Sequence, residues 1–446
     1  MSVHQADVAE LLDARGISRL QIMVFLLCGA AVFVDGFDTQ AIGYVAPVLA
    51  AAFGLPHAAM GSVFAAGLFG LAIGAFLIAP VADRIGRRPV ILAATLGFGV
   101  LTLLTAFASG FTELIVLRFL TGLGLGGAIP NAIALTAEYS PERRRAGIVM
   151  VMFCGFPLGA AVGGLVAARL LAEHGWASVF LAGGGATLLL VPVLLMLLPE
   201  SIRFLATRRA GANIDFRAST AANLRIATLL TRLDPSTDWR DTTFRAPPAA
   251  PPRGGVRQLF ARRRARTTLL LWVVYFMGLL DLYLLANWLP TTLHAKGVPL
   301  EAAVLATAML QIGGIAGAIT LGLAVTRFGP ARVMPLAYAG GACCIVAIGL
   351  IGNSPLPALI TAFGAGFAII GCQNCNNGLS AALYHTEIRA TGVGWANAVG
   401  RAGSIIGPGI GGIMLSLGSN IGLIFIAAAV PAMLACLAVL ALTRRH

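Results

Sequence analysis

Residues 22–46 read IMVFLLCGAAVFVDGFDTQAIGYVA, an apolar run that carries two aspartates, Asp35 and Asp38, in its second half. About 20 apolar residues suffice for a helix to cross the ~30 Å hydrocarbon core of a bilayer. A carboxylate at that depth costs at least about 2.5 kcal/mol unless it finds a partner or a proton. The two aspartates are spaced i, i+3, so a helix puts both on one face. That face must look at protein or water rather than at lipid tails.

The rest of the chain agrees with this reading. Charged residues are 11% of the sequence and apolar ones 58%, which excludes an ordinary soluble domain. Apolar runs near 20 residues recur at 20–47, 58–82, 88–108, 112–137, 146–169, 176–198, 267–290, 303–325, 332–352, 355–381, 391–415 and 420–442. A helix is the natural form for each, because a spanning segment in lipid must satisfy its own backbone hydrogen bonds. The expectation is an all-α membrane protein with twelve transmembrane helices. The segment 199–266 divides them six and six and contains the run APPAAPPRGG, which reads as a linker. The chain therefore divides into an N-terminal bundle (1–198), an Arg/Pro-rich cytoplasmic loop (199–266) and a C-terminal bundle (267–446).

The two bundles read as diverged copies. Asp38 and Asp281 lie 243 residues apart, as do Pro47 and Pro290. The same offset carries the Asp83-Arg84-Ile85-Gly86 turn onto Thr326-Arg327-Phe328-Gly329. GFPLGAAVGG (155–164) is echoed by GSIIGPGIGG (403–412). Pseudo-symmetric bundles with a substrate site between them are a common plan of secondary transporters.

Arginines gather in alternate loops, at Arg84, Arg87 and Arg88, at Arg143, Arg144 and Arg145, in the central loop, at Arg327 and Arg332, at Arg389, and at Arg444 and Arg445. The remaining loops carry little beyond Glu113, Glu173, Lys296 and Glu301. By the positive-inside rule both termini lie in the cytoplasm, as in a multi-pass protein of a bacterial inner membrane. The net charge of +13 is then topology and lipid contact, not nucleic-acid binding. The seven cysteines are scattered; Cys372-x-x-Cys375 falls within a predicted span, where packing is the simpler role. No metal cluster, phosphate loop or nucleophile–base pair points to an enzyme or a cofactor.

Further ionisable groups sit inside the spans. Arg118 lies in the fourth, Asp281 in the seventh and Arg401 in the eleventh. At about 1.5 Å per residue, Asp35 sits roughly 22 Å above the cytoplasmic face, Arg118 and Asp281 roughly 21 Å, and Arg401 roughly 17 Å. Asp35 and Arg118 are thus at one level and can meet. A guanidinium there keeps its proton and needs an anion. Each such pair serves either transport or the mere locking of helices. Tyr44, Phe37, Phe153, Tyr283 and Trp395 offer ring faces. Asn131, Gln373, Asn374, Asn376 and Asn377 offer hydrogen bonds, and the GCQNCNN run (371–377) should face a wet cavity.

Two sets of motifs carry a family resemblance. Ala79-Pro-Val-Ala-Asp83-Arg84-Ile85-Gly86-Arg87-Arg88 resembles the loop signature of the major facilitator superfamily, with Ala79 where that family usually has glycine. Asp35-Gly-Phe-Asp38-Thr-Gln-Ala-Ile-Gly resembles the DGFDTxxIG signature of its aromatic acid:proton symporters. Leu120-Thr-Gly-Leu-Gly-Leu-Gly-Gly-Ala, Pro130-Asn131, Pro199-Glu200-Ser201, Asn287-Trp288-Leu289-Pro290 and the segment from Arg389 to Arg401 agree with it. The resemblance implies the fold of that superfamily, a monomeric carrier in the bilayer, and uptake of a hydroxybenzoate-type aromatic carboxylate with protons. It implies proton coupling by Asp35 and Asp38. It points to Arg118, Arg389 and Arg401 in substrate or gate electrostatics; this chain's own residues add Asn131, Asn374, Tyr44, Trp395 and Asp281 as candidate substrate contacts. It implies gating by Asp83, Arg84, Arg87 and Arg389. Carriage of another organic acid, or proton/drug antiport, are the alternatives.

Overall fold

Span 1 begins where Ser18 can cap it. The Ser18 hydroxyl accepts from the backbone N–H of Gln21, and the Gln21 side chain accepts from the backbone N–H of Ser18, so two otherwise orphaned donors are met at once. The helix runs through Pro47 and stops at Gly54, whose φ of 61° ends it in the left-handed region. In the computed structural model, which describes residues 5–7, 13, 16–211, 224, 226–231, 243–245, 256–261, 264–384, 386–418 and 420–443, eleven further helices are long and apolar enough to cross a membrane. Spans 1–6 are Arg19–Phe53, His57–Ile85, Arg87–Thr105, Phe111–Glu138, Arg145–His174 and Ala177–Leu197. Spans 7–12 are Ala265–Ala295, Leu300–Phe328, Pro330–Leu350, Pro355–Ser380, Thr391–Ser416 and Ile421–Thr443.

The packing repeats between the halves. Span 2 packs on span 4, span 1 on span 5 and span 3 on span 6; in the second half span 8 packs on span 10, span 7 on span 11 and span 9 on span 12. The halves meet chiefly where span 2 crosses span 11 and span 5 crosses span 8. The all-α, two-bundle reading of the sequence thus holds. The outer surface stays apolar, with Met196 80% exposed and Leu336 75% exposed, which suits hydrocarbon and not water.

Two features depart from the sequence reading. Span 5 is not one smooth helix: it breaks at Cys154, between Arg145–Phe153 and Gly155–His174. Pro157 has no N–H to give to the carbonyl four residues back, so the ladder is interrupted there. Also, the short strands β1 (Gln5–Asp7) and β2 (Thr243–Arg245) pair in parallel, joining the N-terminal segment to the central loop that reads as plain linker. Much of that loop and Arg444 and Arg445 lie outside the described residues.

Glycine sets the approach of spans 1 and 5. A Cβ added at Gly159 would sit 1.8 Å from the carbonyl oxygen of Phe33, so the two backbones could not keep their distance. Gly159→Ala should destabilise the protein by about 1–3 kcal/mol, the usual cost of overpacking. Gly340→Ala should not, since a Cβ there meets nothing within 4 Å. Thermal unfolding in detergent, read for both variants beside the parent, checks the pair.

Candidate functional site

Both aspartates of span 1 are buried, as their place on one helix face requires. Their partners differ. Asp38 receives the hydroxyl of Thr102 and lies 3.4 Å from Nη1 of Arg118. Arg118 is itself buried; its Nη2 donates to Thr105 at 3.0 Å and Thr121 at 3.4 Å, and its guanidinium lies 5.0 Å from the Phe180 ring centroid. The depth argument allowed Arg118 to meet Asp35, but the arginine has taken Asp38. Asp35 receives only the hydroxyl of Thr39, at 3.1 Å, and its Oδ2 has no partner. It lies within electrostatic reach of Asp38 and of Arg401.

Arg401 stands in the wall of a central cavity of about 160 Å³. That is room for roughly ten waters, or for one small organic molecule in their place. Spans from both halves line it. Gln40, Gln311, Gln373, Asn374 and Asn397 supply amides, and Tyr283 supplies a phenol. Phe153 and Phe156, their rings stacked at 6.1 Å and 5° beside the break in span 5, supply an apolar face. Among the described residues, Arg401 forms no ion pair within 4 Å, so the cavity holds a guanidinium without a close counter-ion. A second space of about 30 Å³ opens on Asp38 and Arg118, and Leu71 and Tyr283 line both. Leu71 and Tyr283 therefore stand between the ion pair and the cavity.

One end of the molecule is closed. Gln40 of span 1 donates to the Ala286 carbonyl of span 7 and receives Gln311 of span 8 at 3.4 Å. Farther along, Phe64 packs edge-on to Trp288 at 5.1 Å, and the Ala58 N–H donates to Ser416 at 2.9 Å. The cavity lies on the other side of this closure, toward the arginine-rich loops.

The Major Facilitator Superfamily model matches residues 28–408 and 271–446. The chain belongs to that superfamily. It is 44% identical over 437 residues to the gallate transporter of Pseudomonas putida, covering 98% of this chain and 94% of that one. It is 40% identical to the 4-hydroxybenzoate transporter PcaK of Pseudomonas aeruginosa, covering 98% and 96%. The partially occluded, inward-open xylose transporter XylE of E. coli superposes with a TM-score of 0.70 at 16% identity, over 94% of this chain and 97% of that one, which speaks to the fold. Membership of this superfamily sets the chain among transporters, not enzymes.

In this major facilitator protein the superfamily loop is held by its own half. Gly86 turns with φ 106°, and a Cβ there would lie 2.1 Å from a carboxylate oxygen of Glu200. That carboxylate accepts from the N–H groups of Arg87 at 2.9 Å and Arg88 at 3.3 Å, capping the N-terminus of span 3. Arg87 pairs with Asp83 at 2.9 Å and with Glu138 at 3.4 Å. Asp83 thus finds its cation within the same loop, and Glu200 caps the helix end. Tyr139 donates to the Glu200 carbonyl at 2.7 Å, and burial pushes its phenol well above the ordinary range. Arg84 is exposed, and the side chain of Arg389 lies outside the described residues.

Of the other residues expected to touch substrate, Asn374 and Arg401 line the cavity. Tyr44 does not: it is fully buried and donates to the Ala160 carbonyl at 2.7 Å, tying span 1 to span 5. Asn131 bonds back to the Gly127 carbonyl at 2.8 Å and faces Ala79. Trp395 is 42% exposed and stacks on Trp272 at 6.2 Å, on the outside of the bundle. Asp281 is buried but off the cavity wall. Gln40 and Gln311 were missed, although an amide in the middle of an apolar span is the same kind of signal as the GCQNCNN run.

The Asp38–Arg118 pair makes a stability test. Arg118→Met alone leaves a buried carboxylate unpaired and should cost about 3–5 kcal/mol, with Asp38→Asn alone costing less. The double variant should recover much of the loss, and a double-mutant cycle on thermal unfolding in detergent measures the recovery.

Proposed function

We propose that the chain imports a hydroxylated aromatic carboxylate together with protons, by alternating access of its two halves, as a single chain in a bacterial inner membrane. The observation that carries this reading is the guanidinium of Arg401 in the central cavity without a close counter-ion. A guanidinium there calls for an anion, and its planar fork fits a carboxylate in bidentate fashion. Phe153 and Phe156 suit one face of a ring, and the five amides suit phenolic hydroxyls. The names of the gallate and 4-hydroxybenzoate transporters point the same way.

The arginine-rich loops mark the cytoplasmic side by the positive-inside rule, so the cavity faces inward here. Coupling follows from competition for one charge. In the empty site the field of Arg401 reaches Asp35. When a substrate carboxylate takes the guanidinium, Asp35 keeps only Thr39, and a proton from outside neutralises it. Proton and substrate therefore favour each other's binding. Asp38 joins in as the partner of Arg118, since protonating it frees a second guanidinium beside Tyr283. Asp83, Arg84, Arg87 and Arg389 act at the cytoplasmic gate. Asp83, with its side chain 72% exposed, is available to the basic turn of the other half when that end closes.

Reconstituted protein should accumulate labelled 4-hydroxybenzoate or gallate when the outside is acidic, and a protonophore should collapse the gradient. Benzoates should compete, while dicarboxylates and sugar acids should not. Accumulation of a non-aromatic acid that benzoates fail to block, or outward pumping, would overturn the assignment.

Two variants separate the roles. Arg401→Gln should raise KM about 10- to 100-fold, matching the ~1.5–3 kcal/mol of a hydrogen bond to a charged group. Asp35→Asn should keep substrate counterflow across the membrane but lose pH-driven accumulation.

A further inference from the structure

We propose that Asp281 is a second proton-carrying site, set within the C-terminal half and served from the central cavity by way of Tyr338, Asn376 and Gln373. This rests on the proton-coupled reading above and extends it to a residue outside the cavity wall.

Asp281 is the counterpart of Asp38 in the other half, 243 residues on. The two have opposite surroundings. Asp38 has an arginine and a threonine. Asp281 is 0% exposed and neither of its oxygens has a hydrogen-bond partner. The arginine of the first half has no equivalent: Phe119 meets Gly70 as Phe363 meets Gly313, and Gly122 meets Gly67 as Gly366 meets Leu310, so span 10 puts Ala362 where span 4 has Arg118. An ionised carboxylate without counter-charge or donor is among the costliest groups to bury, and a bound proton removes most of that cost. The geometry thus favours the neutral acid, with the proton as its missing partner.

A polar string runs from the neighbourhood of Asp281 to the cavity. Gly278 lies one turn before it on the same face, and a Cβ on Gly278 would be 3.4 Å from the Tyr338 hydroxyl and 2.6 Å from Gln373 Oε1. Tyr338 is itself fully buried and makes no hydrogen bond to Asp281. Asn376 donates to Tyr338 at 3.2 Å and to Gln373 at 3.0 Å, and Gln373 lines the cavity. The buried Oδ1 of Asn376 is another acceptor without a donor. Tyr338 accepts from Asn376 and has its own hydroxyl hydrogen to give. Span 7 thus hands the carboxyl toward spans 9 and 10, where the titratable neighbours are Tyr338, Cys372 and Cys375. Span 11 offers Arg401, whose field acts on Asp35, and span 12 offers Cys436, which lies near Cys372. Span 1 spends its two acids on Thr39, Thr102 and Arg118, and span 8 meets the region with Gln311. Among the described residues no cation reaches Asp281. The step itself is an O–H bond made at an Asp281 oxygen with a proton taken from the cavity, and broken when the proton returns.

Infrared difference spectra of purified protein at neutral pH test the site directly. Wild type minus Asp281→Asn should contain a protonated-carboxyl stretch that shifts in D₂O, and substrate filling the cavity should slow that shift at least severalfold. In proteoliposomes Asp281→Asn should keep counterflow and lose at least one proton per substrate from the coupling ratio, read as a reversal potential. A wild type minus Asp281→Asn spectrum without the band, or an Asp281→Asn protein with an unchanged ratio and full accumulation, overturns the proposal. Asp281→Glu, which retains the acid, should restore the band and the ratio, and its failure to do so while folded also counts against the site. If wild type itself transports without any pH drive, the proton-coupled reading fails instead, and the infrared band still decides the protonation of Asp281.

Discussion

A charge inside a membrane has to be answered, by an opposite charge, by donors, or by a proton. The first two are seen here, and one carboxyl has neither. Asp38 is answered by Arg118 and Thr102. Asp35 is half answered, with one oxygen on Thr39 and the other bare. Asp281 is not answered by any described side chain. The three carboxyls form a series of decreasing support, and decreasing support is what turns a structural group into a proton acceptor. Arg401 is the converse case, a cation in the cavity wall with no carboxylate within 4 Å among the described residues.

The spans were legible because hydrophobic length is a strong signal in a single sequence. Their number, their division around 199–266 and the likeness of the halves all follow from apolar runs and repeated landmarks. Arg401 and Asn374 were legible for the same reason as Asp35: a polar group in an apolar run must face protein or water. Depth could not decide which groups meet. Asp35 and Asp38 are three residues apart and nearly level, so rise along the helix does not distinguish them as partners for Arg118. Rotation about the axis does, and that depends on how span 1 rolls against span 4. Tyr44 and Trp395 show the same limit from the other side. Both read as ring faces near the site, yet one is used to tie span 1 to span 5 and the other turns outward onto Trp272.

The duplicated plan is symmetric in packing and asymmetric in chemistry. Matching helices pair in both halves, with backbones drawn together by glycine. The charges do not match: Thr326 stands where Asp83 does, and Ala362 where Arg118 does. The first half keeps an ion pair and a braced loop, and the second keeps amides, a lone acid and the guanidinium that faces the cavity. The break in span 5 adds to this division, since Phe153, Cys154, Phe156 and Pro157 around it all line the cavity.

The cap that Glu200 places on span 3 reaches beyond the loop it holds. Because the carboxylate comes from just after span 6, the chain leaving the first bundle is fastened before it starts toward the second. Ile202, Phe204 and Leu205 beyond Glu200, and Ile226, Ala227 and Leu230 farther on, pack into the same core cluster as span 1, so the first stretch of the connecting segment belongs to the first bundle.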